Sequence, residues 1–171
     1  MKRVMVIGGS GCGKSTLARM IEKITGLPVV NIDPFYFHAN WVMRDRAETQ
    51  RLVRQAALED EWIIEGNNSE TFGDRLARAD TLIFIDLPLW LRLWRVILRA
   101  IRYRGQTRPD MAPDCPEKLD LDFLGFVVNY RRNHRPKALA VMKNAPENVS
   151  VVHLKTRRQL RAYIENMRRN G

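Results

Sequence analysis

The sequence predicts a single α/β domain, residues 1–171, in which a parallel sheet is covered by helices on both faces. Short, largely apolar and β-branched segments recur along the chain, as expected of strands that are buried on both sides. Amphipathic helical patterns separate most of these segments, which is the alternation typical of parallel sheets. The five predicted strands are Arg3–Ile7, Val29–Ile32, Trp62–Ile64, Thr81–Ile85 and Ser150–Leu154.

Local start and stop signals indicate where the helices lie. Capping-box pairs occur at Asp45 and Glu48 and again at Thr156 and Gln159. Gly26, followed closely by a proline, is a stop signal for the first helix. The predicted helices are Lys14–Ile24, one from Asp45 to about Glu59, Leu89–Tyr103 and one that starts at Thr156.

Composition limits the class of protein and the compartment. Hydrophobic residues make up 45% of the chain, which is enough for a core without disulfide support. The two cysteines, Cys12 and Cys115, are too few for a disulfide framework and lack zinc-site spacing. The apolar runs are too short or too interrupted for a signal peptide or a membrane span. We therefore expect a cytoplasmic protein without membrane contact.

The net charge of +10, carried mostly by arginine, predicts phosphate-rich partners. Both nucleotides and nucleic acid satisfy this condition.

A glycine-rich segment between the first predicted strand and the first helix matches the phosphate-loop pattern G-x-x-x-x-G-K-[ST] at every fixed position. Backbone N–H groups of such a loop and the positive end of the following helix attract phosphate oxygens. Lys14 is expected to reach the β- and γ-phosphates of ATP, and the Ser15 hydroxyl to ligate Mg²⁺. The predicted nucleotide-binding residues here are Gly8, Gly9, Ser10, Gly11, Cys12, Gly13, Lys14, Ser15 and Thr16.

Four arginines lie on one face of the predicted helix Leu89–Tyr103, at spacings of three, four and three residues: Arg92, Arg95, Arg99 and Arg102. The apolar residues of the opposite face are expected to pack on the domain. Such a stripe is either a solvated face or a phosphate-binding surface, and we favour the second because like charges repel at these spacings. A mobile arginine-bearing lid at about 102–132 would stabilise a transferring phosphoryl group.

Two carboxylates follow predicted strands and should lie at the ligand-binding edge of the sheet. Asp33 is a candidate to orient or deprotonate an acceptor hydroxyl, and Glu65 a candidate to support Mg²⁺. Asp86 also ends a strand, where a turn or cap role is expected. The aromatic cluster Phe35–His38 with Trp41 forms either the wall of an acceptor pocket or part of the core, and both interpretations stay open.

Several segments together resemble one known family over nearly the whole chain. The stretch Tyr103–Met111, which contains Arg-Gly-x-Thr-Arg-Pro-Asp-Met, is the most specific of them. The chain is similar in this respect to the topology modulation protein (FlaR-type) family, whose members are adenylate-kinase-like. The matching segments are the phosphate loop, Asn31–Asp33, Trp62–Asn67, Asp86–Pro88 and Tyr103–Met111.

The resemblance implies the nucleoside-monophosphate-kinase fold, with a five-stranded parallel sheet and a lid. It also implies that Glu65 serves the Mg²⁺ site in place of the usual aspartate, and that Arg157 lies beside the adenine base. Further arginines would enter and leave the lid: Arg95, Arg99 and Arg102, then Arg131 and Arg132. Where adenylate kinases carry Phe-Pro-Arg, this chain has Asn67–Ser69, which leaves Arg75 or Arg78 as candidates to grip an acceptor phosphate.

The sequence thus favours an ATP- and Mg²⁺-dependent phosphotransferase acting on a small acceptor, for which nucleosides and nucleotides are candidates. Lys14, Asp33, Arg95, Arg99 and Arg131 are its candidate catalytic residues, and Ser15 and Glu65 would hold the metal. The alternative is an ATP-binding regulator that contacts DNA through its arginine surface with little turnover. No recognition-helix pattern supports this alternative.

Overall fold

The computed structural model describes residues 1–117 and 119–170 of the chain. Five parallel strands form one sheet in the order β2-β3-β1-β4-β5. The strands are β1 (Arg3–Gly8), β2 (Val29–Asn31), β3 (Trp62–Glu65), β4 (Thr81–Ile85) and β5 (Ser150–Leu154). The predicted strands are confirmed, each within a residue or so of its expected bounds.

Helices cover both faces of the sheet, so the predicted α/β class with three layers is also confirmed. The helices are α1 (Lys14–Thr25), α2 (Arg46–Ala57), α3 (Phe72–Arg78), α4 (Leu89–Arg102), α5 (Leu121–Asn133), α6 (Arg135–Lys143) and α7 (Arg157–Asn170). Side chains of α1 and α7 pack in one core cluster, and those of α2, α3 and α6 pack in the other. No helix in the described part of the chain is long and apolar enough to cross a membrane.

The two core clusters explain why the strands are apolar without alternation. Along β1, Val4 and Val6 belong to the cluster under α1, whereas Met5 and Ile7 belong to the cluster under α2 and α3. Successive side chains of a strand point to opposite faces, and here both faces are dry. Each strand must therefore be apolar at every position.

The predicted N-terminal caps are present at the starts of two helices. The Asp45 carboxylate accepts hydrogen bonds from the N–H groups of Ala47 and Glu48, which fixes the start of α2. Thr156 and Gln159 bond reciprocally as a capping box ahead of α7. Three helices, α3, α5 and α6, were not expected from the sequence.

The orientation of α4 corrects one expectation. The large apolar residues of this helix were expected to pack on the domain, yet Trp90 is 70% exposed and Arg92 is 1% exposed. The reason is that α4 lies against the phosphate loop, so Arg92, Arg95 and Arg99 are turned inward. Arg102 stays exposed, and Leu91 of the apolar face does pack in the core. The exposed apolar residues of α4 are Trp90, Trp94, Ile97, Leu98 and Ile101.

Asp86, at the end of β4, joins three elements rather than capping a helix. Its carboxylate accepts hydrogen bonds from Nε and Nη2 of Arg135 in α6, the shorter at 2.8 Å, and lies 3.3 Å from Nε2 of His153 in β5. Burial alone would raise the pKa of Asp86, but the hydrogen bonds and charge of Arg135, followed by His153, lower it overall. The ionised carboxylate therefore stabilises the folded state.

We expect Asp86→Asn to lower the free energy of unfolding by about 1 kcal/mol at neutral pH, since partial exposure screens the pair. Because the folded-state pKa is lowered, this stabilisation is complete above the ordinary aspartate value of about 4 and is lost as the pH falls through the folded value. Urea unfolding at pH 7 and at lower pH measures the difference, which should shrink on acidification. Asp60→Asn, at an exposed position, is the control. An equal loss at both pH values would contradict this account.

Candidate active site

The phosphate loop runs from the end of β1 to the start of α1 with its glycines in conformations that other residues rarely adopt. Gly11 has a φ of +78° and Gly13, directly before α1, has a φ of +99°. The Cys12 N–H donates to the carbonyl oxygen of Gly9 at 3.1 Å, which closes a turn. The predicted loop between a strand and a helix N-terminus is present, a geometry suited to phosphate.

Helix α4 packs directly on this loop through Arg92. A Cβ atom at Gly9 would lie 2.2 Å from Nη1 of Arg92, and one at Gly11 would lie 2.4 Å from the Arg92 carbonyl oxygen. The guanidinium also donates to the carbonyl oxygen of Val127 at 3.2 Å and lies 4.8 Å from the centre of the Tyr130 ring. Burial lowers the pKa of Arg92. This arginine therefore holds the loop, α4 and α5 together.

Lys14, Ser15 and Glu65 lie together at the phosphate loop. This position agrees with the expectation that residues following the strands lie at the ligand-binding edge of the sheet. The Ser15 hydroxyl donates to Oε1 of Glu65 at 2.8 Å. Glu65 is 1% exposed, and its Oε2 has no hydrogen-bond partner among the described residues. Burial is the main reason that its pKa is raised, with Lys14 opposing the rise and the charge of Asp33 adding to it.

The hydroxyl and carboxylate of this group suit Mg²⁺, which prefers oxygen ligands and takes few of them from the protein when phosphates and water supply the rest. The unpartnered Oε2 of Glu65 gives the ion a further donor. Within residues 1–117 and 119–170, no cluster of three or more histidine, cysteine or acidic side chains could hold a metal by itself. A metal shared with bound phosphates therefore fits these residues best.

Asn67 fixes the end of β3 to the start of the phosphate loop. Its Oδ1 accepts from the Gly8 N–H at 3.1 Å and its Nδ2 donates to the Gly8 carbonyl oxygen at 2.6 Å. No role was predicted for Asn67 from the sequence. The Asn67 side chain thus bonds to Gly8 as the backbone of a neighbouring strand would. This pairing fixes the position of Glu65 relative to the phosphate loop.

A cavity of about 1000 Å³ opens beside the loop. Lys14, Ser15 and Asp33 line one end of it, with Asn67 and Asn68 from the segment after β3. The two predicted strand-end acids therefore meet at one site: Glu65 is buried under the loop and Asp33 faces the open cavity. This arrangement can place an acceptor group between Asp33 and a bound phosphate.

The aromatic cluster after Asp33 divides between the two roles that the sequence left open. Phe35 packs against the hydrophobic core. Phe37 and Trp41 line the cavity, with their ring centres 5.0 Å apart in an edge-to-face arrangement. Tyr36 does both, and its hydroxyl donates to the carbonyl oxygen of Asn67 at 2.8 Å.

Arg99 and Arg108 converge on one buried acid, Glu117, which the sequence argument did not single out. Arg99 Nε donates to Oε1 of Glu117 at 3.0 Å, and Arg108 Nε forms an ion pair with Oε2 at 2.5 Å. Glu117 is only 7% exposed. The segment expected to act as a lid, 102–132, has two parts: an irregular stretch, which this ion-pair network holds, and most of α5. Lys118 lies outside the described residues.

The remaining predicted arginines differ in position. Nη1 of Arg95 donates to the carbonyl oxygen of Cys12 at 3.1 Å, which places it at the phosphate loop. Burial, and then the positive charge of nearby Arg157, lower the pKa of Arg95. Arg131 is exposed on α5 and does not line the cavity. The Cys12 thiol is buried, and burial raises its pKa, which makes a reactive thiolate unfavourable.

Comparison with known proteins agrees with the P-loop NTPase fold that the loop and sheet define. Residues 4–86, slightly less than half of the chain, match the family model "ATPase family associated with various cellular activities (AAA)". No curated protein sequence gives a significant match.

Solved structures of kinases share the fold at low sequence identity. A shikimate kinase from Acinetobacter baumannii, solved with shikimate, has a TM-score of 0.62 at 12% identity, over 98% of this chain and 90% of that one. A shikimate kinase from Bacteroides thetaiotaomicron has a TM-score of 0.55 at 15% identity, over 99% and 97%. A sugar kinase from Janibacter sp. HTCC2649 has a TM-score of 0.52 at 17% identity, over 99% and 91%.

We expect Gly9→Ala to lower the free energy of unfolding by about 1–3 kcal/mol, because the new methyl group meets the Arg92 guanidinium. In an Arg92→Ala background the same change should cost roughly half as much or less. Urea unfolding of the four proteins gives the coupling energy. Gly73→Ala in α3, where a Cβ atom would meet nothing within 4 Å, is the control. Additive costs in the double variant would show that Arg92 does not constrain Gly9.

Proposed function

We propose that the protein is an ATP- and Mg²⁺-dependent phosphotransferase that phosphorylates a hydroxyl group of a small molecule; nucleosides are among the candidate acceptors. The observation that carries this proposal is the position of Asp33 on the cavity wall with Lys14 and Ser15. A carboxylate beside a phosphate loop and an open cavity is what transfer to a hydroxyl requires. The kinases that share the fold, which include shikimate and sugar kinases, support it.

In the proposed reaction the acceptor oxygen bonds to the γ-phosphorus of ATP, and the bond from that phosphorus to the β-phosphate bridging oxygen breaks. The acceptor proton passes to the Asp33 carboxylate, and ADP leaves. Lys14 neutralises charge on the β- and γ-phosphates, and N–H groups of the loop Gly8–Thr16 orient them, except those of Gly8 and Cys12, which already bond within the protein. Arg95 lies at the phosphate loop and supplies further positive charge. Arg99 would do so only after release from Glu117, with which it is paired.

Two other predicted arginines have more limited support. Arg157 lies close to Arg95, so the pair is proposed to border the adenine base. Arg131 is exposed, and a part in transfer would require that it move towards the phosphates.

Ser15 and Glu65 would hold the Mg²⁺ ion, which supplies charge neutralisation and alignment of the phosphates when bound. The raised pKa of Glu65 means that its carboxylate is most readily ionised when a cation is nearby.

The alternative of a DNA-binding regulator has weaker support. It depended on an exposed arginine stripe, but Arg92 is buried against the loop and Arg99 is paired with Glu117. We therefore do not propose it.

Lys14→Ala is expected to reduce phosphoryl transfer from ATP by about 100-fold or more, because the charge that faces the phosphates is removed. Transfer to a panel of hydroxylated metabolites and nucleosides, read by mass spectrometry, measures it. Lys23→Ala, which removes an exposed lysine from the same helix, should leave the rate unchanged. Equal rates for Lys14→Ala and the unchanged protein would exclude the loop from the reaction.

Glu65→Gln is expected to raise the Mg²⁺ concentration that gives half the maximal rate by about 10-fold or more, because a neutral amide is a poorer ligand than a carboxylate. Rates at fixed ATP over a range of Mg²⁺ test this. The exposed change Glu59→Gln is the control. An unchanged metal requirement in Glu65→Gln would remove Glu65 from the metal site.

A further inference from the structure

Most positively charged side chains that line the cavity are already paired with protein carboxylates, whereas several negatively charged ones are not. Of the described residues in the lining, the basic ones other than Lys14 are Arg44, Arg46, Arg99 and Arg108. Each of these arginines already forms an ion pair with a carboxylate. A guanidinium that is neutralised in this way attracts an anion far less than an unpaired one does.

The pairs on the acceptor side are held in place by further bonds. Nη1 of Arg44 bonds to Oε1 of Glu48 at 2.6 Å, while its Nε donates to the carbonyl oxygen of Phe35. Arg46 pairs with Glu70, which lines the cavity. Arg99 and Arg108 share Glu117 at the lid. The guanidinium groups that line the cavity are thus already bonded to protein carboxylates.

The two arginines that the sequence offered for an acceptor phosphate are used elsewhere. Arg75 is fully buried and donates to the carbonyl oxygens of Gly66 and Asn68 at 3.1 Å each. Arg78 donates to the carbonyl oxygen of Leu58, 2.7 Å away. Neither arginine lines the cavity. Both arginines therefore stabilise the backbone before and after β3, and neither is placed to bind a ligand in the cavity.

Two other groups near the cavity add little positive charge. Burial, and then the charge of Lys137, lower the pKa of His134, which reduces the positive charge that this lining residue carries near pH 7. Lys137 itself is exposed and outside the lining, with its Nζ 3.4 Å from the Ser69 hydroxyl.

Negative charge, by contrast, faces the cavity without an arginine partner. Asp33, Asp120 and Asp122 line it, and among the described residues none of them forms an ion pair with an arginine or lysine. Asp120 caps α5 through the N–H of Phe123. An anionic group placed beside these carboxylates would be repelled, chiefly by Asp33, because Asp120 and Asp122 are exposed and water screens their charge.

Aromatic rings supply the rest of the recognition surface. Phe37 and Trp41 line one part of the cavity, and Phe123 and Phe126, with ring centres 6.3 Å apart, line another. Aromatic faces accept flat or cyclic molecules and positively charged groups. A volume of about 1000 Å³ accommodates such an acceptor next to the terminal phosphate of ATP.

We propose that the acceptor is a cyclic, hydroxyl-bearing molecule that carries no phosphate or carboxylate group, and that is therefore uncharged or cationic. This inference rests on the proposed phosphotransferase function. It narrows the acceptor class, because nucleoside monophosphates and carboxylated ring compounds are excluded while nucleosides, sugars and amino sugars are retained. Two observations carry it: the arginines of the cavity are paired with carboxylates, and Asp33, Asp120 and Asp122 have no arginine or lysine ion-pair partner among the described residues.

Matched acceptor pairs test the proposal. Each pair has one ring system with and without an anionic group: nucleosides with their 5′-monophosphates, hexoses with hexuronates, and amino sugars with the corresponding aminouronates. We expect the non-anionic member to have the higher kcat/KM by at least ~100-fold wherever transfer occurs. A higher value for the anionic members would overturn the inference alone. Absence of transfer above the Lys14→Ala background throughout would overturn the phosphotransferase proposal itself.

A charge-release variant gives a second test at the same site. Glu48→Gln keeps the shape of the side chain but leaves Arg44 without its carboxylate, so the discrimination against anionic acceptors should fall by about 10-fold. Glu59→Gln is the matched control and should leave the ratio unchanged. An identical ratio in Glu48→Gln and the unchanged protein would show that arginine pairing does not set the acceptor charge.

Discussion

The insertion of Arg92 between the phosphate loop and α5 is the contact on which the site depends. One guanidinium contacts a loop glycine, a backbone carbonyl and the Tyr130 ring, and it does so fully buried. Its position fixes the rotation of α4 about its axis. That rotation in turn sends Arg95 to the phosphate loop and Arg99 to Glu117, so one helix sets contacts both at the loop and in the segment 102–132.

The sheet and the phosphate loop were predictable from sequence because each depends on local patterns. Apolar strands, capping pairs and the loop motif are all short-range features, and parallel strands bring their carboxyl ends together regardless of helix details. The meeting of Lys14, Glu65 and Asp33 at one edge follows from that rule alone. The helices α5 and α6 were missed because they are weakly amphipathic and meet at His134, before a proline, with no capping signal between them.

The direction in which α4 faces could not be predicted, because periodicity identifies two faces of a helix but not which one is inward. An apolar face ordinarily packs inside. Here the neighbour is a loop of polar backbone, and arginine satisfies it better than an apolar side chain does. The role of Glu117 could not be predicted for a related reason. Its partner Arg99 is distant in sequence, and its other partner, Arg108, belongs to an irregular segment, so only the folded chain brings the three together.

The inverted helix also gives the protein a useful set of optical probes. Its four tryptophans occupy three environments: Trp62 is in the core, Trp90 and Trp94 are in solvent, and Trp41 lies where the cavity meets the lid segment. The indole N–H of Trp41 donates to the carbonyl oxygen of Pro116 at 3.1 Å. Aqueous quenchers reach the two tryptophans of α4 first, so the fluorescence that resists quenching comes from the core and from the junction between the segment 102–132 and the cavity.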